Sequence, residues 1–423
     1  MNKRLDKIHN GLVAALDVGS SKVCCFIAKV EGNQQPRIVG IGHQESRGIK
    51  AGAVVDMEEL ETSILNAVHA AEQMAGETID RVVVNLSGGY PASSSVGVEV
   101  SINGHEVGDA DLRRALEYGQ ELQTSNGDSE PGRQLIHSIP TAYSIDGSRG
   151  IRDPRGMHGE QLGVHMHIIT AAAGAVRNLA TCIRRCHLDI SGFVVSPYAA
   201  GLSALVEDEM NLGVTVIDLG GGTTTIAVFF EGNVIYTDVA PIGGMHVTND
   251  IARGLSTPLV HAERMKTLYG HALAAAADDR EIIDVPQVGE DEQNATQQVP
   301  RSLLVGIIQP RLEETFELVR SRLEASGFDK IAGRRVVLTG GGSQLSGIGD
   351  LAGLILDKQV RIGRPLRVTG LAEATAGAAY ATCAGLLLYA IASDIAVPRD
   401  VPQQIKEPGN LVGRVGHWFR EHF

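Results

Sequence analysis

The chain has 423 residues, of which 43% are hydrophobic and 21% charged, so it can form two or more globular domains that each bury a core. The net charge of −13 argues against nonspecific nucleic-acid binding, which requires a basic face. We expect neither a signal peptide nor a membrane-spanning helix, because no apolar run has the required length. Five cysteines without a disulfide or zinc-knuckle spacing favour a reducing, cytosolic compartment.

The N-terminal part of the chain predicts an α/β domain. Strands are expected at about 12–18, 22–30 and 36–45, followed by the glycine-punctuated connection SRGIKAGAVVD at 46–56. Apolar residues at helical spacing then predict a helix over 57–75, with Asp56 as its N-cap, before a strand at 81–86.

The sequence pattern changes between about Pro91 and His167, where short strand-like segments and one helical segment predict an inserted subdomain. His165 and His167 are two residues apart, so on a strand they would lie on the same face, with His158 nearby in the sequence. No Cys or paired carboxylate joins them at ligand spacing. We therefore favour structural histidines over a metal cluster. Cys182 and Cys186, one helical turn apart beside His187, are interpreted in the same way, as buried structural thiols rather than metal ligands.

A glycine-rich hairpin is predicted in the middle of the chain, where residues 213–233 read GVTVIDLGGGTTTIAVFFEGN. The pattern indicates two strands joined by a turn. Gly220, Gly221 and Gly222 allow backbone N–H groups to approach an anion, because no Cβ blocks them. Asp218, at the end of the first strand, suits a Mg²⁺ ion held through water beside phosphates. A plain hairpin without a ligand is the alternative.

The same text occurs near the N-terminus, where residues 15–33 read ALDVGSSKVCCFIAKVEGN. Asp17 precedes Glu31 by 14 residues, and Asp218 precedes Glu231 by 13. Two copies of one hairpin indicate a duplicated domain in which each half offers a phosphate loop. Chance similarity between two glycine-rich turns is the alternative.

The remaining segments complete the prediction. Helices are expected over 244–254 and 258–270, where Glu263 and Lys266 lie one turn apart. The acidic segment 284–300 is expected to be a loop, and the helical segment 301–326 to be kinked or restarted at Pro310. The sequence RRVVLTGGGSQLSGI at 334–348 predicts a strand, a third glycine turn and a helix start, and helical sequence resumes over 371–392.

A proline-rich linker precedes the C-terminal segment, which contains the only tryptophan of the chain. Placed on a helical wheel, this segment has one apolar face, with arginines opposite. Such a helix suits the interface of a bilayer, and a helix docked on the protein body is the alternative. The apolar face is formed by Leu411, Val412, Val415, Trp418, Phe419 and Phe423.

Together, LDVGSSK, IDLGGGT and VVLTGGGSQL resemble the two phosphate motifs and the adenosine motif of the actin, Hsp70 and sugar-kinase superfamily. The segments SRGIKAGAVVD, PRSLLVGIIQPRLEE and VRIGRPLRVTGL, the insertion at 91–167 and the amphipathic tail further resemble the FtsA family of bacterial cell-division proteins. The resemblance covers most of the chain. It implies an α/β, actin-like ATPase fold of two related halves, with an FtsA-type inserted subdomain and a C-terminal amphipathic helix.

The resemblance also implies a division into subdomains. These are 11–90 with 168–206 (subdomain 1A), 91–167 (the inserted subdomain 1C), 207–250 with 331–393 (2A), 251–330 (2B), the flexible linker 394–408 and the membrane-targeting helix 409–423.

Within such a fold, ATP would lie in a cleft between the two halves, with Mg²⁺ near Asp17 and Asp218. The residues expected to contact nucleotide are Gly19, Ser20, Ser21 and Lys22 on one side, Gly220, Gly221, Gly222 and Thr223 on the other, Gly340, Gly341, Gly342 and Ser343 at adenosine, and Glu263 and Lys266 at ribose or base.

The resemblance implies partners as well. The tail would bind lipids on the cytoplasmic face of the inner membrane at the division site, while the body binds the C-terminal tail of the tubulin-like protein FtsZ. Arg301 lies in the region that resembles the FtsZ-binding part. The chain would also assemble with itself head to tail and contact other division proteins, and no nucleic-acid partner is implied.

One departure from the superfamily concerns catalysis. Chaperones and actins carry Glu or Gln where Ser196 stands here, and serine is a poor general base on its own. We therefore expect nucleotide binding with slow or undetectable hydrolysis. Three other functions compete with this interpretation. A sugar or acetate kinase would need an Asp base, an Hsp70-like chaperone would need a separate substrate domain, and a pilus-assembly adaptor would lack the membrane helix.

Overall fold

The architecture is that of a computed structural model, which describes residues 11–31, 35–125, 132–289 and 296–396. The first half of the chain supplies one five-stranded sheet and, inserted into it, a four-stranded sheet. Its elements are β1 (Gly11–Val18), β2 (Lys22–Val30), β3 (Arg37–Glu45), β4 (Ile49–Lys50), β5 (Ala53–Val54), α1 (Met57–Ala75), β6 (Arg81–Leu86), β7 (Ala92–Ser101), α2 (Asp109–Ser125), β8 (Arg133–Ile145), β9 (Ser148–Ile151), β10 (Gln161–Ala172), α3 (Ala173–Arg185), β11 (Asp189–Val195) and α4 (Ser196–Ala204).

The second half supplies another five-stranded sheet with its own helices. Its elements are α5 (Glu207–Leu212), β12 (Val214–Leu219), β13 (Thr224–Phe230), β14 (Asn233–Ala240), α6 (Gly244–Gly254), α7 (Leu259–Tyr269), β15 (Ile282–Pro286), β16 (Thr296–Pro300), α8 (Arg301–Ser326), β17 (Arg335–Thr339), α9 (Ile348–Leu356), β18 (Gln359–Ile362) and α10 (Ala381–Ala396). Short 3₁₀ turns lie at Asp278–Arg280, Gly341–Gln344, Glu373–Thr375 and Ala378–Tyr380.

The two large sheets have the same strand order. One runs β3-β2-β1-β6-β11 and the other β14-β13-β12-β17-β18. In each, three consecutive strands form an antiparallel meander, and the next two strands join it in parallel. The duplication predicted from the repeated text is therefore present in the topology.

Local sequence explains the first helix. The Asp56 carboxylate accepts hydrogen bonds from the N–H groups of Glu58 and Glu59 at 3.0 and 3.2 Å, which satisfies two of the donors left open at a helix start. Gly76 ends the helix in the left-handed conformation, with φ of 73°. The face of α1 that is turned to the sheet buries Leu60, Ile64 and other apolar side chains.

The inserted sheet has the order β7-β10-β8-β9, with α2 packed against it. Its strands are longer than the sequence suggested, since β7 has 10 residues and β8 has 13. This layer also contacts the second half: His167 Nδ1 bonds the Val234 carbonyl oxygen at 3.1 Å, and the Asn233 side chain donates to the Thr141 carbonyl at 3.2 Å.

Helices α4 and α10 pack face to face at the junction of the halves. α4 contacts β12 and β13, whereas α10 contacts β1, β2 and β6. The crossing is very close at Gly385, where an added Cβ would lie 1.7 Å from the carbonyl oxygen of Ala199. Only glycine allows two helix backbones to approach in this way.

The structure differs from two local predictions. The segment expected as a loop over 284–300 belongs to a two-stranded hairpin of β15 and β16, which buries Ile283, Val285 and Val299. The helical segment expected to be kinked or restarted at Pro310 is one helix from Arg301 to Ser326, so it does not restart there. A smaller difference occurs at residue 171, where β10 continues to Ala172 before α3 begins.

Candidate nucleotide site

The two glycine turns predicted as phosphate loops have matching backbone geometry. The Gly19 N–H donates to the Lys22 carbonyl at 3.0 Å, and the Gly220 N–H donates to the Thr223 carbonyl at 2.9 Å. We call residues 19–22 loop one and residues 220–223 loop two. Each loop follows a strand whose second-last residue is an aspartate, Asp17 on β1 or Asp218 on β12.

The two loops lie against each other at the centre of the molecule. A Cβ on Gly221 would be 2.8 Å from Oγ of Ser21, and a Cβ on Gly222 would be 2.5 Å from Oγ of Ser20. Side chains at these two positions would push the halves apart. The glycines are therefore required by the contact between the loops.

The β4–β5 hairpin covers loop one, a role that the sequence analysis did not predict. Its tip residues Ala51 and Gly52 have φ of 48° and 77°, and the Gly52 N–H donates to Ser20 Oγ at 3.0 Å. The Ala51 nitrogen would lie 3.0 Å from a Cβ on Gly222. The hairpin thus contacts both loops. The sequence signal for it is the close spacing of Gly48 and Gly52, which by itself predicts only a glycine-punctuated connection.

Two carboxylates lie at the starts of the loops: Asp218 is buried and Asp17 is partly exposed. Burial raises the pKa of Asp17 to about 7, an effect that the Lys22 charge opposes and the Asp218 charge increases. Burial raises the pKa of Asp218 to about 6, against the hydrogen bond from Thr382 and the charge of Lys22. The Thr382 hydroxyl donates to Asp218 Oδ2 at 2.9 Å. A pair of desolvated carboxylates gains stability when a cation binds beside it.

Lys22 is the cation of loop one, and its ammonium contacts the 3₁₀ turn Ala378–Tyr380. Nζ donates to the Ala379 carbonyl oxygen at 2.7 Å and lies 3.4 Å from the centroid of the Tyr380 ring. Such a cation–π contact contributes about 0.5–2 kcal/mol, depending on how far it is desolvated. The side chain expected to contact phosphate is therefore held by this turn.

The third glycine turn lies directly beside Asp218. Gly340 has φ of 82°, and a Cβ there would lie 2.2 Å from Asp218 Oδ1. Ser343 Oγ donates to the Gly340 carbonyl at 2.7 Å, which stabilises the turn. The next glycine, Gly341, has no atom within 4 Å of its Cβ position, whereas Gly342 would contact Leu219.

The pair expected at ribose or base also borders loop two. The first N–H groups of α6 donate to loop two, from Gly244 to the Gly220 carbonyl at 2.9 Å. Lys266 Nζ donates to the Gly244 carbonyl at this helix start, at 3.1 Å. It also donates to Glu263 Oε2 at 2.7 Å. Thr248 Oγ1 joins the pair, 2.5 Å from the Glu263 carboxylate. Loop one, the third glycine turn and the Glu263–Lys266 pair thus each lie beside loop two or the strand that leads into it.

Ser196 begins α4 beneath loop one and is 3% exposed. Its hydroxyl accepts a hydrogen bond from Asn85 Nδ2 at 3.2 Å, and Asn85 Oδ1 accepts from the Val18 N–H at 2.6 Å. Asn85 was not singled out in the sequence. A serine paired with an amide offers no group that takes up a proton near neutral pH.

This donor set fits ATP with Mg²⁺. Turns without Cβ atoms let a ligand approach the backbone closely, two carboxylates suit a hard divalent cation, and the Lys22 ammonium suits phosphate oxygens. Among the described residues, no group of three or more His, Cys, Asp or Glu could hold a metal ion by itself. A Mg²⁺ ion here would therefore need water and phosphate oxygens to complete its coordination.

The remaining predicted residues lie away from this cleft. Arg301 begins α8, where its guanidinium bonds the buried Asp278 at 2.8 Å, Glu281 at 3.3 Å and the Tyr269 carbonyl at 2.7 Å. Its side chain is thus committed to contacts within the chain. The membrane-facing residues from Leu411 to Phe423 lie outside the described residues, as does the linker from residue 397 onward. Residues 394–396, expected in the linker, form the last turn of α10 instead. No helix within the described ranges is long and apolar enough to cross a membrane.

The histidines and cysteines have structural environments. His167 is buried and bonds Ser93 Oγ at 2.5 Å, while His165 lies on the exposed side of the same strand. All five cysteines are free and buried. The interpretation of Cys182 and Cys186 as structural thiols agrees with this burial.

Comparison with known proteins identifies the family. The model named "Cell division protein FtsA" matches residues 215–385, and the model named "SHS2 domain inserted in FTSA" matches residues 88–170. The chain is 45% identical over 434 residues to the cell division protein FtsA of Agrobacterium fabrum, covering 100% of this chain and 97% of that relative. It belongs to the FtsA family. The FtsA of Escherichia coli is 32% identical over 420 residues, covering 97% of this chain and 98% of that relative.

Solved structures support the fold predicted for an FtsA-family chain. The PilM–PilN type IV pilus biogenesis complex gives a TM-score of 0.63 at 19% identity, covering 90% of this chain and 99% of that one. MreB5 of Spiroplasma citri bound to ADP gives 0.53 at 13% identity, covering 91% and 98%. At these identities the likeness concerns the fold alone. The actin-like α/β fold with an inserted subdomain is thereby confirmed.

Proposed function

We propose that this chain is an ATP-binding, actin-like division protein that polymerises on the inner membrane and tethers FtsZ to it. The observation that carries the proposal is the pair of matched glycine loops, which meet between two halves of equal topology in a member of the FtsA family. Subdomain 2B, at 251–330, would receive the FtsZ tail. The other faces would contact a second copy and further division proteins.

In this proposal ATP acts by binding and stabilising one conformation, and its hydrolysis is not the source of energy. Loop one belongs to the first half and loop two to the second, so a nucleotide that contacts both favours the arrangement that brings them together. Asp17 and Asp218 would hold Mg²⁺ through water, and Gly340 to Ser343 would lie against adenosine. Since Ser196 and Asn85 supply no general base, hydrolysis should be slow. A nucleotide-bound MreB among the structural neighbours supports this choice of ligand.

The membrane attachment is assigned to residues 409–423. Six apolar side chains on one face, including Trp418 and Phe419, would enter the headgroup boundary, with Arg414 and Arg420 on the polar side. The part of the predicted linker that follows α10, at 397–408, would leave this helix free to reach the bilayer while the body contacts FtsZ.

Vesicle flotation tests the tether. The full chain, with ATP and Mg²⁺, is mixed with vesicles containing anionic lipids and with purified FtsZ, beside a chain that ends at Glu407 and a Trp418→Glu variant. Of these three chains, we expect only the full one to float and to carry FtsZ upward. The shortened chain lacks the helix, and in Trp418→Glu a charge on the apolar face prevents burial of that face in the bilayer. His417→Gln, on the polar face, is the matched control and should float like the full chain. Equal flotation of the full and shortened chains, or of neither, would show that this segment is not the anchor.

A further inference from the structure

The ammonium of Lys22 is held by residues that lie far from it in sequence. Its two contacts, with the Ala379 carbonyl and the Tyr380 ring, belong to the 3₁₀ turn Ala378–Tyr380 just before α10. Among the described residues Lys22 forms no salt bridge with Asp17 or Asp218, although its positive charge acts to lower the pKa of both carboxylates. The ammonium is thus bonded to the turn and to neither carboxylate.

The turn that holds Lys22 is itself fixed to both halves of the molecule. The Tyr380 ring stacks on Phe26 of β2 with centroids 5.9 Å apart. The Ala378 carbonyl accepts hydrogen bonds from the Gly340 N–H at 3.1 Å and from Thr339 Oγ1 at 3.0 Å. The group that holds the ammonium is therefore anchored to the first sheet on one side and to the third glycine turn on the other.

This arrangement has a physical consequence for anion binding. A lysine side chain is flexible and loses rotamer freedom when it binds a phosphate, and holding it beforehand reduces that loss. Released from the turn, the ammonium would pair with the two carboxylates, because opposite charges attract strongly at a buried site. That pairing would neutralise both the groups suited to Mg²⁺ and the group suited to phosphate.

We propose that the Tyr380 ring and the Ala379 carbonyl position Lys22 for the phosphates of the nucleotide. Tyr380 acts through Lys22 and is a positioning residue. The inference deepens the proposed function and rests on ATP binding. It predicts that Tyr380 affects affinity for a phosphorylated ligand and leaves affinity for adenosine unchanged.

Calorimetric titration of the full chain with MgATP, and separately with adenosine, tests this inference. Tyr380→Leu removes the ring face and should weaken MgATP binding about three- to tenfold, the range of a partly desolvated cation–π contact. Tyr380→Phe keeps the ring and should bind within about twofold of the unaltered chain. Adenosine affinity should be equal in all three. Tyr389→Leu, on α10 but in contact with His137 and Tyr198, is the matched control for loss of an aromatic side chain.

A double-mutant cycle separates positioning from packing. In a Lys22→Met background, Tyr380→Leu should have no further effect on MgATP affinity, because the group it positions is gone. Unchanged or tighter MgATP binding by Tyr380→Leu, an equal loss for adenosine, or the same loss in the Lys22→Met background would each overturn the inference. Failure of the unaltered chain to bind MgATP would instead remove the proposed function on which it rests.

Discussion

At the scale of single residues, the glycines of the cleft show how far sequence reasoning reaches. Gly220, Gly221 and Gly222 could be predicted as places where backbone approaches a ligand, because the absence of a Cβ is a local property. That Gly222 meets Ser20 and the tip of the β4–β5 hairpin could not, since those contacts join segments about 170 to 200 residues apart. The same limit applies to Asn85, whose role depends on Val18 and Ser196 being its neighbours.

Two buried histidines predict a pH dependence of folding. Burial lowers the pKa of His137 to about 3, with a smaller effect from His167, and burial lowers the pKa of His167 to about 4 against the bond to Val234. Below the ordinary value of 6.5, the unfolded chain takes up protons that the folded chain refuses, so stability is present above pH 6.5 and is lost as pH falls toward 4. The loss between pH 7 and pH 5 should be about 2 kcal/mol per histidine.

Denaturant unfolding at pH 7 and pH 5 measures this loss. His137→Gln can still accept the Val195 N–H and should reduce the pH-dependent loss by about 2 kcal/mol relative to the unaltered chain. His158→Gln, at an exposed position, should leave it unchanged. An identical pH dependence in His137→Gln and the unaltered chain would contradict the assignment of a neutral buried imidazole.

At the scale of elements, segments with strong apolar periodicity or continuity were predictable, and segments with few apolar residues were not. Helix α1 and strand β6 were placed at the residues where they are found, because their apolar spacing or continuity is strong. The β15–β16 hairpin was missed because its few buried apolar residues stand among polar ones and prolines. Helix α8 continues through Pro310, which has no N–H to donate to the carbonyl of residue 306. The surrounding buried face of α8 outweighs the one lost hydrogen bond.

The crossing of α4 and α10 makes a prediction about glycine. Gly385→Ala places a methyl group 1.7 Å from the Ala199 carbonyl oxygen, so the helices must separate, and the free energy of unfolding should fall by roughly 2 kcal/mol or more. Gly306→Ala, inside α8 with no atom within 4 Å of the added Cβ, should raise it by about 0.5–1 kcal/mol. Denaturant unfolding of both variants provides the comparison. Equal stability of the two would contradict the close helix contact.

At the scale of the whole molecule, the duplication could be predicted from the two similar hairpin sequences at 15–33 and 213–233, and the matching strand order of the two sheets confirms it. The repeat fixes two similar hairpins, and chain connectivity then favours similar sheets around them. The contact of the inserted sheet with the second half was not predictable, because it depends on single pairs such as His167 with Val234. The way in which the loops meet likewise follows from the packing of the halves.

The most direct test of a nucleotide cleft between the two loops is the affinity of the full chain for MgATP beside that of a Gly222→Ala variant. The added Cβ would meet Ser20 and the Ala51 nitrogen, which displaces loop one from loop two. We expect binding by the unaltered chain and by Gly306→Ala to be equal, and binding by Gly222→Ala to be weaker by about tenfold or more. Equal MgATP affinity in Gly222→Ala and the unaltered chain would contradict a nucleotide site formed by the meeting of the two loops.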